Sequence, residues 1–292
     1  MRAAIDIGTN TVLMLVGTRG ADGRVEVAED LARITRLGEG VAASGRLKPE
    51  AIERTVAVLA EYAALARSHG AEVVAVATEG LRMASDTEAF LVPAARALGQ
   101  SIRCISGDEE AELSYRSIAD EGGAGPLHVL DIGGGSTELI VGAGPQILQR
   151  RSHPIGSVRL TERFVRNDPP APDELAAMEL AAREQLASQA VEPLPRLHGL
   201  AGTVTSAAAL HLGLARYDRE RVDGCELSLA EVVDLRDVLA RERLEARIAR
   251  PILGRGRGDV IVAGLTILVE ALRHCGATTL VVRDRGLRFA LI

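Results

Sequence analysis

Aromatic residues are scarce in this sequence. Tryptophan is absent, tyrosine and phenylalanine contribute three residues each, and aromatic residues make up 2% of the chain. The hydrophobic share is nevertheless 47%, so the core must be built from Ala, Val, Leu and Ile. A charged share of 25% is typical of a folded globular protein. Because 292 residues exceed what one hydrophobic core usually holds, the length predicts two domains.

Long basic runs, paired cysteines and long apolar segments are also missing. The net charge is −6, which argues against a nucleic-acid partner. The three cysteines are odd in number and far apart, which argues against a disulfide framework and favours a reducing compartment, the cytoplasm. The N-terminus lacks the pattern of a signal peptide, and no apolar stretch is long enough to cross a bilayer. We therefore expect a cytoplasmic protein with no membrane partner.

Two segments of the sequence resemble each other, residues 4–17 and 129–142. Each contains an apolar strand ending in an aspartate, a glycine-rich turn with a hydroxyl residue, and a second apolar strand. This pattern predicts two β-hairpins whose tight turns need the backbone freedom of glycine. The repeat predicts two related α/β domains, residues 1–124 and 125–292.

The two turns are candidate phosphate sites, because glycine-rich turns let several N–H groups converge on one anion. An aspartate beside a phosphate would repel it unless a cation such as Mg²⁺ or Mn²⁺ lay between them. Glu138 lies just beyond the second turn, where it could join Asp131 at such a cation or be an exposed strand carboxylate. The candidate phosphate-binding residues are Asp6, Gly8, Thr9, Asn10 and Thr11 in the first turn and Gly133, Gly134, Gly135 and Ser136 in the second.

A third acidic segment and one arginine complete the candidate site. Glu109 and Glu110 follow Ser106-Gly107-Asp108 at the start of a helix predicted over residues 109–119. Acidic residues there can simply cap the helix, but hydrolysis by water needs a base to accept a proton. No Ser/His or Cys/His pair is evident for a covalent route. Arg82 follows a predicted strand and either clamps a phosphate through two N–H groups or is a solvated helix residue.

Together these motifs resemble one known family. In order, the segments that carry the resemblance span residues 6–11 (DIGTNT), 78–82 (TEGLR), 106–111 (SGDEEA), 131–138 (DIGGGSTE), 156–160 (GSVRL), 202–205 (GTVT), 257–260 (RGDV) and 285–288 (RGLR). They look like the exopolyphosphatase/guanosine-pentaphosphate phosphatase family over essentially the whole chain. Residues 131–138 are the most specific single segment.

The resemblance implies an α/β fold of the two-domain actin/hexokinase/Hsp70-like, or ribonuclease H-like, kind with an interdomain active-site cleft. It implies Mg²⁺-dependent release of terminal orthophosphate from inorganic polyphosphate, or alternatively of the 5′ γ-phosphate from guanosine pentaphosphate (pppGpp). By position within the motifs, Glu110 is preferred over Glu109 as the catalytic residue, and Arg82 contacts phosphate. Asp131 and Glu138 lie at the metal.

Departures from the family pattern are few. Gly80 stands where the family often has alanine, and Thr11 keeps the hydroxyl of the usual serine. Longer members add a C-terminal helical domain of HD type, which this chain is expected to lack because it ends at Ile292. The sequence leaves open whether the chain forms a homodimer.

Two further function classes share the predicted fold. A sugar kinase-like ATPase would need a nucleotide pocket around Gly202-Thr203 and a base for the acceptor sugar, which the sequence does not reveal. A non-catalytic sensor of pppGpp or ppGpp would not need Glu110, Asp131 and Glu138, all of which are present.

Overall fold

The structure, a computed structural model, describes residues 1–119 and 125–292. The first elements in chain order are β1 (Arg2–Ile7), β2 (Thr11–Arg19), β3 (Val25–Ile34), α1 (Val41–Ser44), α2 (Pro49–Ser68), β4 (Glu72–Ala77), α3 (Glu79–Arg82), α4 (Glu88–Leu98), β5 (Arg103–Cys104) and α5 (Gly107–Arg116). They are followed by β6 (Pro126–Ile132), β7 (Thr137–Ala143), β8 (Gln146–His153), α6 (Ser157–Phe164), α7 (Pro172–Leu186), β9 (Arg196–Leu200), α8 (Ala201–His211), α9 (Arg219–Val222), β10 (Glu226–Ser228), α10 (Leu229–Arg241), α11 (Leu244–Ala249), α12 (Ile261–His274), β11 (Thr279–Val282) and α13 (Leu287–Ala290).

The chain divides into two compact units. One contains residues 1–113 and 287–292, and the other contains residues 114–286. This division falls within α5 and returns α13 to the first unit. The boundary expected from the sequence, between residues 124 and 125, adjoins residues 120–124, which lie outside the described residues. The division into 1–124 and 125–292 therefore stays a prediction.

Each unit is built around one sheet. The five-stranded sheet of the first unit has the order β3-β2-β1-β4-β5, and the six-stranded sheet of the second has the order β10-β11-β9-β6-β7-β8. In both, three antiparallel strands precede a strand that lies parallel to the first of them: β4 beside β1, and β9 beside β6. The internal repeat seen in the sequence is thus present in the topology.

Helices with apolar faces cover the sheets. In α2, Pro49 occupies the first turn, where its missing N–H costs no hydrogen bond. The buried face contains Leu59, Tyr62, Ala63 and Ala66, which belong to the same core as strands β1 and β2. In the second unit, α12 is buried from Ile261 to Leu272, as its continuous apolar sequence predicts.

One predicted helix has different bounds in the structure, and one strand is very short. Helix α5 begins at Gly107 and ends at Arg116 rather than spanning 109–119, and the Ser106 hydroxyl accepts a hydrogen bond from the Glu109 N–H at 3.2 Å. That bond satisfies one of the exposed donors of the first turn, which explains the earlier start. Strand β5 contains only two residues, because its pairing with β4 is limited to Val76 and Ala77.

Buried histidines make the second unit sensitive to acid. Burial lowers the pKa of His128 and of His153, and it lowers the pKa of His198 from 6.5 to about 4, with further lowering by Arg283 and Arg196 and an opposing effect of Glu226. A base whose pKa is lowered by folding takes up its proton more readily in the unfolded chain. The stability that neutral His198 contributes is therefore present above pH 6.5 and is lost as the pH falls towards 4.

We expect His198→Gln to weaken the acid dependence of stability. A single fully buried site changes the free energy of unfolding by at most about 1.4 kcal/mol per pH unit, and by less where solvent reaches the ring. Urea unfolding at several pH values between 7 and 4 measures this slope for the wild type and the variant. His211→Gln, at an exposed position, is the control. Equal slopes for the wild type and His198→Gln would contradict the assignment.

Candidate functional site

Both repeated hairpins close in the same way. We call residues 8–11 loop 1 and residues 133–136 loop 2. In loop 1 the Gly8 N–H donates to the Thr11 carbonyl at 3.0 Å, and in loop 2 the Gly133 N–H donates to the Ser136 carbonyl at 2.9 Å. The turns were expected to need glycine's backbone freedom, but the glycines of both loops lie outside the positive-φ region. Space is the physical reason for Gly8 and Gly133, because an added Cβ would lie 3.0 and 3.1 Å from the same two carbonyl oxygens.

Loop 1 is held by backbone hydrogen bonds from the segment after β3. The Asn10 carbonyl accepts from the N–H groups of Thr35 and Arg36, at 3.1 and 2.9 Å, and the Thr9 carbonyl accepts from Gly38 at 2.9 Å. Glycine allows this close packing, since a Cβ at Gly38 would lie 2.4 Å from Thr9 Cγ2.

Gly80 also packs directly against loop 1. A Cβ added at Gly80 would lie 2.9 Å from Thr9 Cα and 2.9 Å from Thr9 Oγ1. Such contacts are shorter than van der Waals distances, so alanine at position 80 would require the loop to shift. Gly80 therefore departs from the alanine expected in the family for a local steric reason, the close packing against Thr9.

Loop 2 is held by the first turn of α6. The Gly133 carbonyl accepts from the Ser157 N–H at 3.0 Å, and the Gly134 carbonyl accepts from Val158 and Arg159 at 2.9 and 3.1 Å. A Cβ at Gly156 would lie only 2.4 Å from the Gly134 oxygen. The first turn of the helix thus binds loop carbonyls with the N–H groups that a helix leaves without intrahelical partners.

These anchors set the direction of the loop amides. In a trans peptide, the N–H of one residue points opposite to the carbonyl of the residue before it. Because the carbonyls of Gly133 and Gly134 point to α6, the N–H groups of Gly134 and Gly135 point the other way. Adjacent N–H groups aligned in this manner are suited to binding an anion. The same argument applies to the N–H groups of Asn10 and Thr11 in loop 1.

Asp131 and Glu138 are direct cross-strand neighbours. They are paired in the β6–β7 register, so their side chains lie on one face of the sheet. The Ser114 hydroxyl donates to Asp131 Oδ2 at 2.6 Å, and the Ser152 hydroxyl donates to Glu138 Oε1 at 2.7 Å. Glu138 is fully buried, so the alternative of an exposed strand carboxylate is wrong.

This carboxylate pair fits a hard divalent cation. Like charges directly across a strand pair are destabilising, and burial adds to the cost unless a positive charge compensates. Mg²⁺ commonly takes one or two protein carboxylates and completes its shell with water and substrate phosphate. Among the described residues, no group of three or more His, Cys, Asp or Glu side chains could hold a metal ion.

In the first unit, Arg82 binds two carboxylates and one carbonyl. Its Nε and Nη2 donate to Glu79 Oε2 at 3.0 and 2.8 Å, and its Nη1 donates to Glu110 Oε2 at 3.0 Å and to the Ile105 carbonyl at 2.7 Å. Burial acts to lower the pKa of Arg82, but the charges of Glu110 and Glu79 outweigh it and raise that pKa. Arg82 therefore stays cationic.

The two candidate bases have different surroundings. Glu110 is 8% exposed and is held by Arg82. Glu109 is partly buried, and its side chain forms an ion pair with Arg103 of β5. Of the two glutamates, only Glu110 contacts Arg82, although the two are adjacent in the sequence.

Sequence reasoning missed three side chains of these clusters. Glu79 could have been found from the sequence, because its i,i+3 spacing to Arg82 at the start of a helix lets the two side chains form an ion pair. Ser114 and Ser152 had no such signal, since the register that pairs Glu138 with Ser152 is a tertiary property.

A further arginine packs against the start of α8. A Cβ at Gly202 would lie 1.5 Å from Arg257 Nη1, so only glycine lets the guanidinium approach this turn. Burial lowers the pKa of Arg257. The structure thus brings Arg257 next to the Gly202-Thr203 segment, whereas Arg255 is exposed.

We expect Gly156→Ala to displace loop 2 from α6. The added methyl group would overlap the Gly134 carbonyl, and overpacking of this kind typically costs about 1–3 kcal/mol of stability. Thermal unfolding and a phosphate-release assay measure the two effects. Thr161→Ala, one turn further along α6, is the control and should retain activity. Full activity and unchanged stability of Gly156→Ala would contradict the contact.

Comparison with known proteins identifies the family. Residues 18–292 match the Ppx/GppA phosphatase family. Exopolyphosphatase 2 of Mycobacterium tuberculosis is 37% identical over 288 residues, covering 93% of this chain and 90% of that protein. A crystal structure of the Aquifex aeolicus Ppx/GppA family member shares 34% identity with a TM-score of 0.83, over 99% of this chain and 95% of that one.

A more distant structure supports the fold alone. The crystal structure of an exopolyphosphatase from Cytophaga hutchinsonii is 24% identical, with a TM-score of 0.89 over 99% of this chain and 95% of that one. The predicted two-domain actin/hexokinase-like α/β fold is confirmed, and so is the assignment to the phosphohydrolases. On the match across residues 18–292, this chain belongs to the Ppx/GppA phosphatase family.

Proposed function

We propose that this protein is an exopolyphosphatase that releases terminal orthophosphate from inorganic polyphosphate. The observation that carries the proposal is the orientation of the loop amides, because both loops turn adjacent N–H groups away from their anchoring segments. Such amides bind phosphate oxygens without adding a side-chain charge. The identity of 37% with Exopolyphosphatase 2 supports the choice of substrate.

We assign the role of general base to Glu110. Arg82 binds its Oε2, which fixes the orientation of the carboxylate. We propose that Oε1 accepts a proton from the attacking water as the water oxygen forms its bond to the terminal phosphorus. The bond from that phosphorus to the bridging oxygen breaks, and the bridging oxygen keeps the electron pair as the new terminal oxygen of the shortened chain. The orthophosphate, which now contains the water oxygen, is released. Phosphoryl transfer of this kind depends mainly on positioning and electrostatics.

Arg82 has little spare capacity for a phosphate. Its four hydrogen bonds to Glu79, Glu110 and Ile105 engage four of the five N–H groups of a guanidinium. One N–H can bind substrate while these bonds persist. The bidentate contact expected from the sequence would require Arg82 to exchange one carboxylate for the phosphate. We propose instead that a single N–H of Arg82 donates to the phosphate.

Asp131 and Glu138 are the residues that would hold Mg²⁺ or Mn²⁺. When bound, the ion would offset negative charge on the phosphoryl group and the leaving phosphate. Ser114 and Ser152 orient the two carboxylates through their hydroxyl groups. In the same proposal, Asp6 and loop 1 bind phosphate in the first unit, and the amides of Gly134 and Gly135 bind phosphate in the second.

The second candidate activity is removal of the 5′ phosphate of pppGpp. This substrate ends in the same phosphoanhydride, so the same residues would act on it. The name of the matched family supports it as the alternative.

The proposed location is the cytoplasm. Cys104, Cys225 and Cys275 are all free thiols, which is usual in a reducing compartment. Within the described residues, no helix combines the length and apolar character needed to span a bilayer. The proposed partners are the phosphate substrates and not nucleic acid, and a homodimer remains the assembly to test.

Orthophosphate release with Mg²⁺ tests the function directly. We expect release from polyphosphate by the wild type and a loss of roughly 10²–10⁴-fold in kcat for Glu110→Gln, the usual contribution of general base catalysis. Glu109→Gln is the matched control and should stay within a few-fold of the wild type. Preference for pppGpp over polyphosphate would select the alternative. No release from polyphosphate, pppGpp or ATP by a folded wild type would refute both hydrolase activities.

The metal assignment is tested by the Mg²⁺ requirement. We expect Ser152→Ala to raise the Mg²⁺ concentration for half-maximal activity roughly tenfold, because residues that orient metal ligands usually contribute 10–100-fold in affinity. Asp131→Asn should raise it further. Ser188→Ala, whose hydroxyl bonds only the neighbouring Gln185 carbonyl, is the control. If Asp131→Asn left the Mg²⁺ concentration for half-maximal activity unchanged, the assignment of the metal to Asp131 would be wrong.

A further inference from the structure

Glu79 occupies one edge of the Arg82 guanidinium. Nε and Nη2 of Arg82 both donate to Glu79 Oε2, at 3.0 and 2.8 Å. Two neighbouring guanidinium nitrogens are the usual donors in a bidentate contact with a carboxylate or phosphate. The third nitrogen, Nη1, donates to Glu110 Oε2 at 3.0 Å and to the Ile105 carbonyl at 2.7 Å. Glu79 therefore takes the place that a phosphate would take in a bidentate contact at this edge.

The N–H group that Arg82 has left for substrate is on Nη2. The four bonds use the single N–H of Nε, both N–H groups of Nη1 and one of the two on Nη2. Because Nη2 already donates to Glu79, a phosphate that accepts from the remaining N–H lies beside the Glu79 carboxylate. Repulsion between the two anions weakens that contact.

The turn that carries Glu79 lies beside loop 1. It follows β4, and the Thr78 N–H donates to the carbonyl of Ile7, the residue before loop 1, at 3.2 Å. Gly80 packs on Thr9 of loop 1, since an added Cβ would lie 2.9 Å from Thr9 Cα. The Glu79 carboxylate thus belongs to a turn in direct contact with one of the proposed phosphate loops.

Glu79 orients Arg82 at the expense of affinity for phosphate. Without Glu79, the Nε and Nη2 edge of Arg82 would be open to an anion. With it, two donors converge on one oxygen and fix the plane of the rigid guanidinium, so that Nη1 faces Glu110. The side chains of Glu79 and Arg82 are 18% and 20% exposed, so solvent screens this ion pair less than it screens a surface pair.

We propose that Glu79 is a positioning residue for Glu110 that acts through Arg82. It restricts Arg82 to one contact with the terminal phosphate and keeps Nη1 on the general base. The inference rests on the proposed function and deepens it. Tighter binding of substrate and transition state alike would lower KM without raising kcat. Glu79 therefore weakens a contact that adds nothing to kcat, and the orthophosphate product leaves more easily.

Glu79→Gln should change KM and kcat in the same direction. The variant keeps the shape of the side chain and removes its charge, so Arg82 can turn its Nε and Nη2 edge to the phosphate. We expect KM for polyphosphate and the inhibition constant of orthophosphate to fall roughly three- to tenfold, as for one added charge-assisted hydrogen bond. We expect kcat to fall roughly tenfold, because Arg82 no longer holds Glu110 in place. Steady-state kinetics with orthophosphate as the product inhibitor measure all three constants.

Two variants separate this role from a structural one. Local damage to the site would lower kcat but would weaken phosphate binding, whereas the proposal expects stronger binding. Glu79→Asp keeps the carboxylate on a shorter side chain and should restore part of kcat and of the wild-type inhibition constant. Glu88→Gln removes the same charge at an exposed position of the same unit and is the matched control. Its three constants should stay within about twofold of the wild type.

A double-mutant cycle tests whether Glu79 acts through Arg82. Arg82→Lys keeps the positive charge but removes the planar set of donors that binds two carboxylates at once. In that background, Glu79→Gln should change the inhibition constant of orthophosphate by less than about twofold, because residues that act through one contact are not additive. An undiminished effect would mean that Glu79 acts on the phosphate directly and would contradict the proposal.

Other results would also overturn the positioning role. They are an unchanged or higher inhibition constant of orthophosphate in Glu79→Gln, an unchanged kcat, or an equal response of Glu88→Gln. Titration calorimetry with orthophosphate compares binding by the same variants without turnover. If the wild type releases no phosphate, the proposed function fails, and calorimetry then decides separately whether Glu79 restricts Arg82. If the wild type is active and Glu79→Gln matches it, only the positioning role fails.

Discussion

The orientation of a few peptide groups underlies the chemistry of both units. Each loop carbonyl that is anchored by a neighbouring segment turns the following N–H in the opposite direction, because the peptide is planar and trans. In loop 2 the anchor is the first turn of α6, and Gly156 permits it because a Cβ would collide with Gly134. Preorganised amides of this kind bind charge with little rearrangement, which is the usual basis of electrostatic catalysis.

Negative charge is the second constraint. The two units surround their carboxylates differently. In the first unit one arginine, Arg82, binds both Glu79 and Glu110, so its charge is shared before any substrate arrives. In the second unit Asp131 and Glu138 face each other across the β6–β7 pair, and each accepts a hydrogen bond from a serine hydroxyl, an oxygen-rich arrangement that suits a divalent cation.

The sequence predicted the candidate residues more fully than it predicted their contacts. Helix α5 was predicted over residues 109–119, but it begins at Gly107 because the Ser106 hydroxyl bonds its first turn. The hairpins were predicted from strand patterns, but glycine's role in them was misjudged, since close contacts decided it and φ did not.

The sequence by itself determined the family, the α/β class, the repeated hairpins and the identity of the acids and arginines available for chemistry. These depend on local spacing and residue type, which are readable along the chain. Only the tertiary structure decided that Glu110 rather than Glu109 meets Arg82, that Ser152 reaches Glu138, and that Lys48 and Arg54 share one carboxylate. Those contacts join residues far apart in sequence, and strand register and helix packing, rather than local composition, set their geometry.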